Sequence, residues 1–221
     1  MNKRPIKKTK ILNILKKIPV PKLGFEIIKL DESLNRFLHE DIISQINLPP
    51  FNNSAVDGYA IVKSDIKKNN YKLKIQNKIK AGDSKKIKLS NGNVSRIFTG
   101  AKMPINSKTV VMQENVRASK NEILINKMPT YGENCRLNGE DIRKGKKILL
   151  KGEVINSTNI NLIAAIGKNK VLVSKKIDIG FYSSGNELKN VTENLKGSEI
   201  NNSNFYSMNA LLDQRYISRK Y

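Results

Sequence analysis

The chain has 221 residues, and 41 lysines and arginines outweigh 19 aspartates and glutamates to give a formal net charge of +22. The hydrophobic fraction is 38%, and no apolar run reaches the roughly 20 residues that a membrane-spanning helix needs. The single cysteine, Cys135, excludes an internal disulfide and any multi-cysteine metal site. With no secretory leader pattern, these features predict a cytoplasmic protein without a membrane partner.

The positive charge favours anionic ligands. Lysines are scattered through nearly every segment, and neither an arginine-rich block nor an aromatic-studded basic strand is present. This pattern favours a general compositional bias over a dedicated nucleic-acid surface. Phosphorylated ligands would be attracted in either case.

The first predicted elements are short and mixed. Apolar residues at helical spacing predict an amphipathic helix over residues 10–18. Residues 25–30 alternate like a strand, and Asp31 can cap a short helix over 31–38. The next predicted strand covers 42–46 and leads into a diproline.

Short strands dominate the region from residue 48 to residue 142. Apolar or alternating runs are separated by Gly, Asn, Pro and Lys at 59–62, 71–75, 87–89, 94–98, 109–113 and 122–125. Asn91-Gly92 predicts a type I′ hairpin turn between the third and fourth runs. Evenly spaced short strands are typical of a small barrel or sandwich, so the region is predicted to be a β-barrel-like module.

After residue 142 the sequence again shows both helix and strand patterns. A helix is predicted over 158–166, with Gly167 as its carboxyl-terminal stop. Residues 177–182 are predicted to form a buried strand, followed by the polar loop 183–188. Ligands gather at such strand ends in open α/β sheets. A last helix is predicted over 204–212.

Residues 49–60, Pro-Pro-Phe-Asn-Asn-Ser-Ala-Val-Asp-Gly-Tyr-Ala, are the most informative stretch and are called the first motif below. The prolines hold its start extended, and Asp57-Gly58 bends the chain just before an apolar strand. The Asp57 carboxylate is thereby placed in a tight turn at the end of a loop. An isolated Asp-Gly would be interpreted as an ordinary turn. The whole string resembles the signature of the molybdopterin molybdenumtransferases, the MoeA / gephyrin E-domain family.

Four further blocks carry the same resemblance, in the family's order. They are Arg96-Ile-Phe-Thr-Gly-Ala101, Val110-Val-Met-Gln-Glu114, Gly132-Glu-Asn-Cys-Arg-Leu-Asn-Gly-Glu-Asp-Ile142 and Ser184-Gly-Asn-Glu-Leu188. One block alone would be a weak signal, whereas five in order are a specific one.

The resemblance implies insertion of molybdenum, from molybdate, into adenylylated molybdopterin by a cytosolic homodimer that needs a divalent cation, usually Mg²⁺. It implies a mixed α and β fold in which a β-barrel-like module (48–142) is inserted in an elongated mixed domain (21–47 and 143–174). An amino-terminal helix (1–20) packs on the α/β domain. The start of that three-layer α/β domain follows (175–221).

Carried over residue by residue, the resemblance implies catalytic roles for Asp57, Thr99 and Asp141 and a metal-binding role for Glu187. The implied substrate-binding residues are Asn53, Ser54, Gly100, Arg136 and Ser184. Mg²⁺ prefers carboxylate and phosphate oxygens, and the Thr99 hydroxyl with the Gly100 amide can bind an anion. Because carboxylates repel molybdate, the two aspartates are predicted to position polar groups or handle protons. Asp57 and Thr99 are expected to approach each other at one end of the module.

Structural interpretations stay open beside these roles. Thr99-Gly100 is also compatible with a strand-end turn, and Glu140-Asp141 with a solvated acidic turn. Glu187 is also compatible with a carboxylate at a helix amino end. Cys135 occupies a position that the family usually fills with an apolar residue, so it is predicted to be structural.

The sequence also departs from the family. Arginines are frequent where Leu137 and Asn138 stand, and an acid and an arginine where Asn202 and Phe205 stand. Family members continue for roughly as many residues again, through a Ser-Gly-Gly loop, a second metal-binding Asp and lysines that contact molybdate. The chain is therefore expected to be an amino-terminal portion, a truncated product or one half of a split protein, inactive without a carboxyl-terminal half in trans. The alternatives are a non-catalytic dimerisation module and an anion- or nucleic-acid-binding module.

Overall fold

The computed structural model describes residues 7–20 and 22–220. Its helices are α1 (Lys8–Leu15), α2 (Lys63–Lys68), α3 (Ser157–Ala165) and α4 (Ser203–Leu211), with 3-10 turns at Leu30–Glu32 and Gln113–Asn115. Its strands are β1 (Phe25–Lys29), β2 (Ile42–Ile43), β3 (Asn53–Ser54), β4 (Gly58–Ile61), β5 (Lys72–Ile79), β6 (Asn93–Ile97), β7 (Thr109–Met112), β8 (Val116–Ala118), β9 (Glu122–Ile125), β10 (Cys135–Arg136), β11 (Lys147–Leu149), β12 (Lys170–Ser174), β13 (Ile177–Gly180), β14 (Leu188–Lys189), β15 (Ile200–Asn201) and β16 (Ile217–Lys220). None of the helices in the described part of the chain is long and apolar enough to cross a membrane.

The chain divides into two compact units. The sheet unit comprises residues 42–149 and 165–167, and the flanking unit comprises the described residues before 42, those from 150 to 164 and those from 168 onward. Residues 42–47 and 143–149, assigned above to the elongated domain, therefore lie in the sheet unit. The family-derived identities of the four segments stay predictions.

Six strands of the described chain form the main sheet of the sheet unit, in the order β7-β4-β6-β5-β9-β8. All four residues of β4 are buried, because Tyr59 and Ile61 pack into one hydrophobic cluster and Ala60 into another. A strand covered on both faces reads as a continuous apolar run. The apolar Tyr59-Ala60-Ile61 run, which begins in the first motif, thus places β4 at the interior of the sheet.

The hairpin predicted at Asn91-Gly92 is wrong. No strand forms at residues 87–89, and β6 pairs in parallel with β5 and antiparallel with β4. A turn is present, since the Asn93 amide donates to the Ser90 carbonyl at 3.1 Å and Gly92 has a φ of +70°. The turn ends a crossover loop because β6 pairs in parallel with β5, the strand before it, and a two-residue hairpin joins only antiparallel strands.

In the flanking unit, β1 pairs antiparallel with β12, with Phe25 opposite Ser174. These strands precede and follow the sheet unit in the sequence, so the chain leaves the flanking unit and returns to it. The helix predicted over 31–38 is wrong beyond the 3-10 turn. Phe37 and Leu38 instead form isolated antiparallel bridges with β-structure on the returning segment, and these contacts override the local helical pattern.

Helix predictions elsewhere are confirmed. The amphipathic pattern at 10–18 corresponds to α1, whose side chains are all exposed, so its predicted packing on the α/β domain stays a prediction. Helix α3 begins where the Asn156 side chain accepts the Asn159 amide at 2.8 Å, and Gly167 follows it with a φ of +80°.

The carboxyl-terminal part of the flanking unit begins a parallel arrangement. Strand β13 pairs in parallel with β16, and β14 in parallel with β15. Helix α4 lies between β15 and β16 in the sequence, as expected of a crossover connection. The prediction that β13 is buried is wrong, because most of its residues are exposed in this chain.

Candidate functional site

The first half of the first motif, together with Leu48 just before it, is bound to the block at residues 132–142. The Asp141 amide donates to the Leu48 carbonyl, and the Gly139 amide to the Pro49 carbonyl, each at 2.9 Å. Strands β3 and β10 then pair antiparallel. Two blocks that lie far apart in the sequence therefore form one surface.

The third partner is the block at residues 96–101. The amide of Ser54 donates to the Ala101 carbonyl at 3.0 Å, and the amide of Gly100 donates to the Ser54 carbonyl at 2.8 Å. Asn53, the neighbouring residue, bridges to Lys102 on one side and pairs with Arg136 on the other. The structure thus brings together the predicted residues of three motif blocks in the sheet unit.

Asp57 and Thr99 meet just before β4. The backbone amide and the hydroxyl of Thr99 both donate to Oδ1 of Asp57, each at 2.8 Å. These two hydrogen bonds, and then the positive charge of Arg96, hold the pKa of the Asp57 carboxyl below its usual value against the opposing effect of burial. The expected approach of the two residues is confirmed.

In this structure the Thr99 hydroxyl and the Gly100 amide, which are predicted above to bind an anion, both have internal acceptors, and their role toward a substrate stays a prediction. The hydroxyl donates to Asp57 and the amide donates to Ser54, so both hydrogens are already used. The Asp57 carboxylate is the acceptor of the Thr99 hydroxyl. Its Oδ2 accepts no hydrogen bond from the described residues and is the atom open to a substrate.

The bend after Asp57 requires glycine. A Cβ atom on Gly58 would lie 2.1 Å from the carbonyl oxygen of Val111 on β7, which pairs with β4. Real Cβ atoms do not approach backbone atoms so closely, so no other residue fits without moving a strand. The close packing of β4 against β7 therefore sets where the Asp57 carboxylate stands.

Arg96 is a functional candidate to which the sequence analysis assigns no role. Its guanidinium carbon lies 5.0 Å from the ring centroid of Tyr59 and 5.0 Å from that of Phe98. One guanidinium nitrogen bonds to the side chain of Gln113. Stacking on two rings favours arginine over lysine.

Arg96 and Gln113 together hold the backbone around Asp57. Nη1 of Arg96 donates to the Gly58 carbonyl at 3.3 Å, and the Gln113 amide donates to the Asp57 carbonyl at 3.2 Å. Both residues lie inside the motif blocks quoted above, and this position in the motifs is the sequence signal that could have identified them. The spacing in the sequence does not show that they bind two consecutive peptide carbonyls.

Ser54 uses its hydroxyl internally. The residue is buried, and its Oγ donates to the Val56 carbonyl at 2.6 Å. This bond closes the turn that carries the chain from β3 toward Asp57. The Ser54 side chain therefore shapes the loop, whereas the neighbouring Asn53 is partly open to solvent.

Arg136 lies beside two carboxylates. Its guanidinium pairs with Asp141, and its Nε lies 3.2 Å from the Glu140 carboxylate. Hydrogen bonds from Arg136 to Asp141 first, and to Glu140 second, raise the pKa of the arginine. The charges of Arg136 and Asp141 thus balance each other, although solvent screens this exposed pair.

Ser184 and Glu187 lie in the flanking unit, in an exposed loop between β13 and β14. The Glu187 carboxylate folds back over Gly185, where a Cβ atom would lie 2.7 and 2.8 Å from its two oxygens. Ser184 lines a cavity of about 320 Å³ together with Phe181 and Asn202. Asn202 also caps α4 by accepting the Phe205 amide at 3.1 Å.

A family model described as the MoeA N-terminal region (domain I and II) matches residues 7–167. The chain belongs to the MoeA family. The resemblance found in the sequence is confirmed. The matched range contains the Asp57 site of the sheet unit and ends before Ser184 and Glu187.

Individual MoeA relatives extend the match. The chain is 33% identical over 202 residues to the molybdopterin molybdenumtransferase of Haemophilus influenzae. This alignment covers 91% of this chain and 50% of that protein. The corresponding protein of Staphylococcus epidermidis is 36% identical over 191 residues, covering 85% and 46%. The crystal structure of the molybdopterin biosynthesis MoeA protein from Pyrococcus horikosii matches with a TM-score of 0.81 at 30% identity, covering 98% of this chain and 56% of that chain. The chain spans about half the length of the curated relatives it matches.

Glu187 of this MoeA-family chain fits Mg²⁺ in part. Its carboxylate is exposed and supplies hard oxygen ligands. The described residues contain no group of three or more His, Cys, Asp or Glu that could hold a metal ion. Because Mg²⁺ is commonly bound by one or two carboxylates with waters and substrate phosphates, Glu187 would be one ligand among several.

Cys135 occupies a packed position. It lies against the hydrophobic cluster that contains Ala60 and Ile97, and its side chain is half-buried. Burial first, and the negative charge of Glu140 second, raise the pKa of the thiol. A protonated, packed thiol is a poor nucleophile and metal ligand, which supports the predicted structural role.

Proposed function

We propose that this MoeA-family chain supplies the amino-terminal half of an enzyme that inserts molybdenum, from molybdate, into adenylylated molybdopterin. The observation that carries the proposal is the Asp57 carboxylate, held by Thr99 through two hydrogen bonds on a loop that three motif blocks form. Relatives of about twice the length are named molybdopterin molybdenumtransferase. The homodimer, the cytoplasmic location and a carboxyl-terminal half in trans belong to the same proposal.

The chemistry requires protons to reach an oxygen of molybdate. When the two thiols of molybdopterin take the molybdenum, two sulfur–metal bonds form, one oxide leaves, and the two thiol protons leave with that oxide as water. Asp57 has a lowered pKa and is ionised near neutral pH. It therefore acts as a hydrogen-bond acceptor that orients a thiol or hydroxyl of the substrate, rather than as a resting proton donor.

Thr99 and Arg96 keep Asp57 in that state. Thr99 fixes Oδ1 and leaves Oδ2 open, and the Arg96 charge favours the ionised carboxylate. Asn53 and Arg136 stand on the adjacent strand pair, where Arg136 could exchange Asp141 for a substrate phosphate. Mg²⁺ bound through Glu187 would neutralise phosphate charge.

A molybdenum-insertion assay tests this function. Adenylylated molybdopterin, molybdate and Mg²⁺ are incubated with the 221-residue chain alone and with the chain joined to the carboxyl-terminal half of the Haemophilus influenzae relative. We expect product only from the joined protein. Absence of product from both would overturn the proposal, and efficient insertion by the chain alone would show that its own residues suffice.

Replacing Glu187 tests the metal role separately. In the joined protein, Glu187→Gln should raise the Mg²⁺ concentration needed for half-maximal activity, whereas Glu193→Gln, which removes a carboxylate whose oxygen accepts the Asn190 amide at 2.9 Å, should not. An unchanged Mg²⁺ requirement in Glu187→Gln would remove Glu187 from the metal site.

A further inference from the structure

A second cavity opens at the end of β4 that is remote from Asp57. Its volume is about 570 Å³, and its wall includes Ile61, the last residue of β4, and Thr109, which pairs with Ile61 at the start of β7. Asp57 precedes the first residue of the same four-residue strand. At about 3.3 Å per strand residue, the two places lie roughly 13 Å apart. The cavity is therefore separate from the Asp57 site.

Apolar side chains form much of the wall of this cavity. Ile105 and Tyr131 both line it, and they remain 67% and 64% exposed. Residues of these types are rarely left open to water without a ligand or partner when they gather around one concavity. The volume lies within the range of small-molecule sites, roughly 300–1,000 Å³.

Three lysines line the same cavity. Lys63 and Lys67 are four residues apart on α2 and so share one face of the helix, and Lys108 lies in the loop just before β7. None of the described residues lining the cavity is acidic, and within the described chain none of the three lysines forms an ion pair. The positive charge of this wall is thus not balanced by the chain.

The one carboxylate of α2 points elsewhere. Asp65 is buried, and its Oδ2 accepts the Gly92 amide at 3.3 Å. It ties α2 to the loop before β6. It therefore holds the helix in place without neutralising the lysines on the exposed face.

We propose that this cavity binds an organic anion with a flat apolar body, that is, an aromatic phosphate, sulfonate or carboxylate. The body covers Ile105 and stacks on Tyr131, and the anionic group lies among the three lysines. An inorganic anion would leave the apolar wall in water, and a neutral aromatic compound would leave the lysines unpaired. The ligand therefore needs both an apolar body and an anionic group in one molecule.

Binding of 1-naphthyl phosphate to the ¹⁵N-labelled 221-residue chain, followed by two-dimensional NMR, tests the proposal. Amide shifts are expected at residues 61–67 and 105–109. Inorganic phosphate and 1-naphthol, which each carry one part of the probe, should bind at least about tenfold more weakly, a loss of about 1.4 kcal/mol. Shifts confined to other residues, or equal binding of 1-naphthol, would overturn the proposal.

Matched variants separate a site from general charge attraction. The triple variant Lys63→Gln, Lys67→Gln, Lys108→Gln should weaken binding by about tenfold or more. The control variant Lys85→Gln, Lys86→Gln, Lys120→Gln removes the same charge from exposed positions outside the cavity and should leave binding within about twofold. Equal weakening in both variants would overturn the proposal.

The apolar wall has its own test. Ile105→Ser keeps the backbone bond from the Ile105 amide to the Ile87 carbonyl at 2.9 Å and changes an exposed side chain, so the fold is expected to persist. Binding of 1-naphthyl phosphate should weaken several-fold, while the weak binding of inorganic phosphate should not change. Unaltered binding of the aromatic probe would show that the apolar wall takes no part.

Discussion

Thr99 gives both its amide hydrogen and its hydroxyl hydrogen to one oxygen of Asp57, each at a distance of 2.8 Å. The two residues are separated by 42 positions in the sequence and by the turn into β4. A carboxylate bound on one side in this way keeps a fixed orientation and exposes its second oxygen. This relationship organises the proposed chemistry of the sheet unit.

The lowered pKa of Asp57 predicts a pH-dependent stability. A carboxylate whose folded-state pKa is lowered stabilises the protein above its unfolded pKa, and this contribution is lost as the pH falls through the folded value. The difference in unfolding free energy between the wild type and Asp57→Asn should therefore be larger at pH 7 than below the usual carboxyl pKa of 3.8. Urea unfolding at both pH values measures it. A difference that does not change with pH would contradict the assignment.

Gly58→Ala should destabilise the chain severely. A Cβ atom there would lie 2.1 Å from the Val111 carbonyl oxygen, so we expect a loss above about 4 kcal/mol, or an insoluble product. Gly82→Ala is the matched control, because Gly82 has a φ of +89° and no neighbouring atom within 4 Å of a Cβ. Its cost should be about 1–2 kcal/mol, because an L residue is strained at this positive φ. Similar urea midpoints for the two variants would show that β7 can shift to accommodate the added Cβ atom at little cost in stability.

Arg96→Lys keeps the positive charge and loses the planar guanidinium that lies 5.0 Å from two ring centroids. Each cation–π contact contributes about 0.5–1 kcal/mol, so we expect the free energy of unfolding to fall by about 1–2 kcal/mol. Arg117→Lys, on the exposed edge strand β8, should have little effect. Chemical denaturation of both variants decides the question. Equal stability would indicate that charge alone suffices at residue 96.

The Cys135 thiol should react slowly. Burial and the Glu140 charge raise its pKa, so the reactive thiolate is scarce near neutral pH. Alkylation by iodoacetamide in the folded chain is expected to be slower than in the urea-unfolded chain, and its rate should still be rising with pH at the usual thiol pKa of 9.0. Rapid alkylation of the folded chain at pH 7 would contradict its packed position.

Local patterns predicted the local elements well. Helix α3, with its Asn156 cap and its Gly167 stop, and strand β1 follow from signals contained within a few residues. Two predicted elements that do not form, the helix over 31–38 and the hairpin at Asn91-Gly92, occur where strands outside the local segment supply the partners. Propensity is a weak guide when tertiary pairing competes with it.

The candidate site was predicted as a set of residues, and its internal bonding was not. Asp57 and Thr99 were expected to meet, and they do. That the donors of Thr99 and Gly100 are already used, and that Arg96 lies between two rings, depends on atomic positions that sequence order does not encode. The motifs identify the residues of the site, whereas the three-dimensional structure determines which of their atoms have no internal hydrogen-bond partner.

The central claim is that the Asp57 carboxylate takes part in molybdenum insertion. Its most direct test is the insertion rate of the chain joined to the carboxyl-terminal half of the Haemophilus influenzae relative, in three forms: unchanged, Asp57→Asn and Asp83→Asn. Asp83 is the matched control, because its carboxylate also accepts a backbone amide, that of Lys80 at 2.7 Å, on an exposed loop of the same unit. The rate should fall by about 100-fold or more in Asp57→Asn and stay within about twofold in Asp83→Asn, with both variants folded. Full activity of the folded Asp57→Asn protein would contradict the claim and leave the first motif as a structural turn.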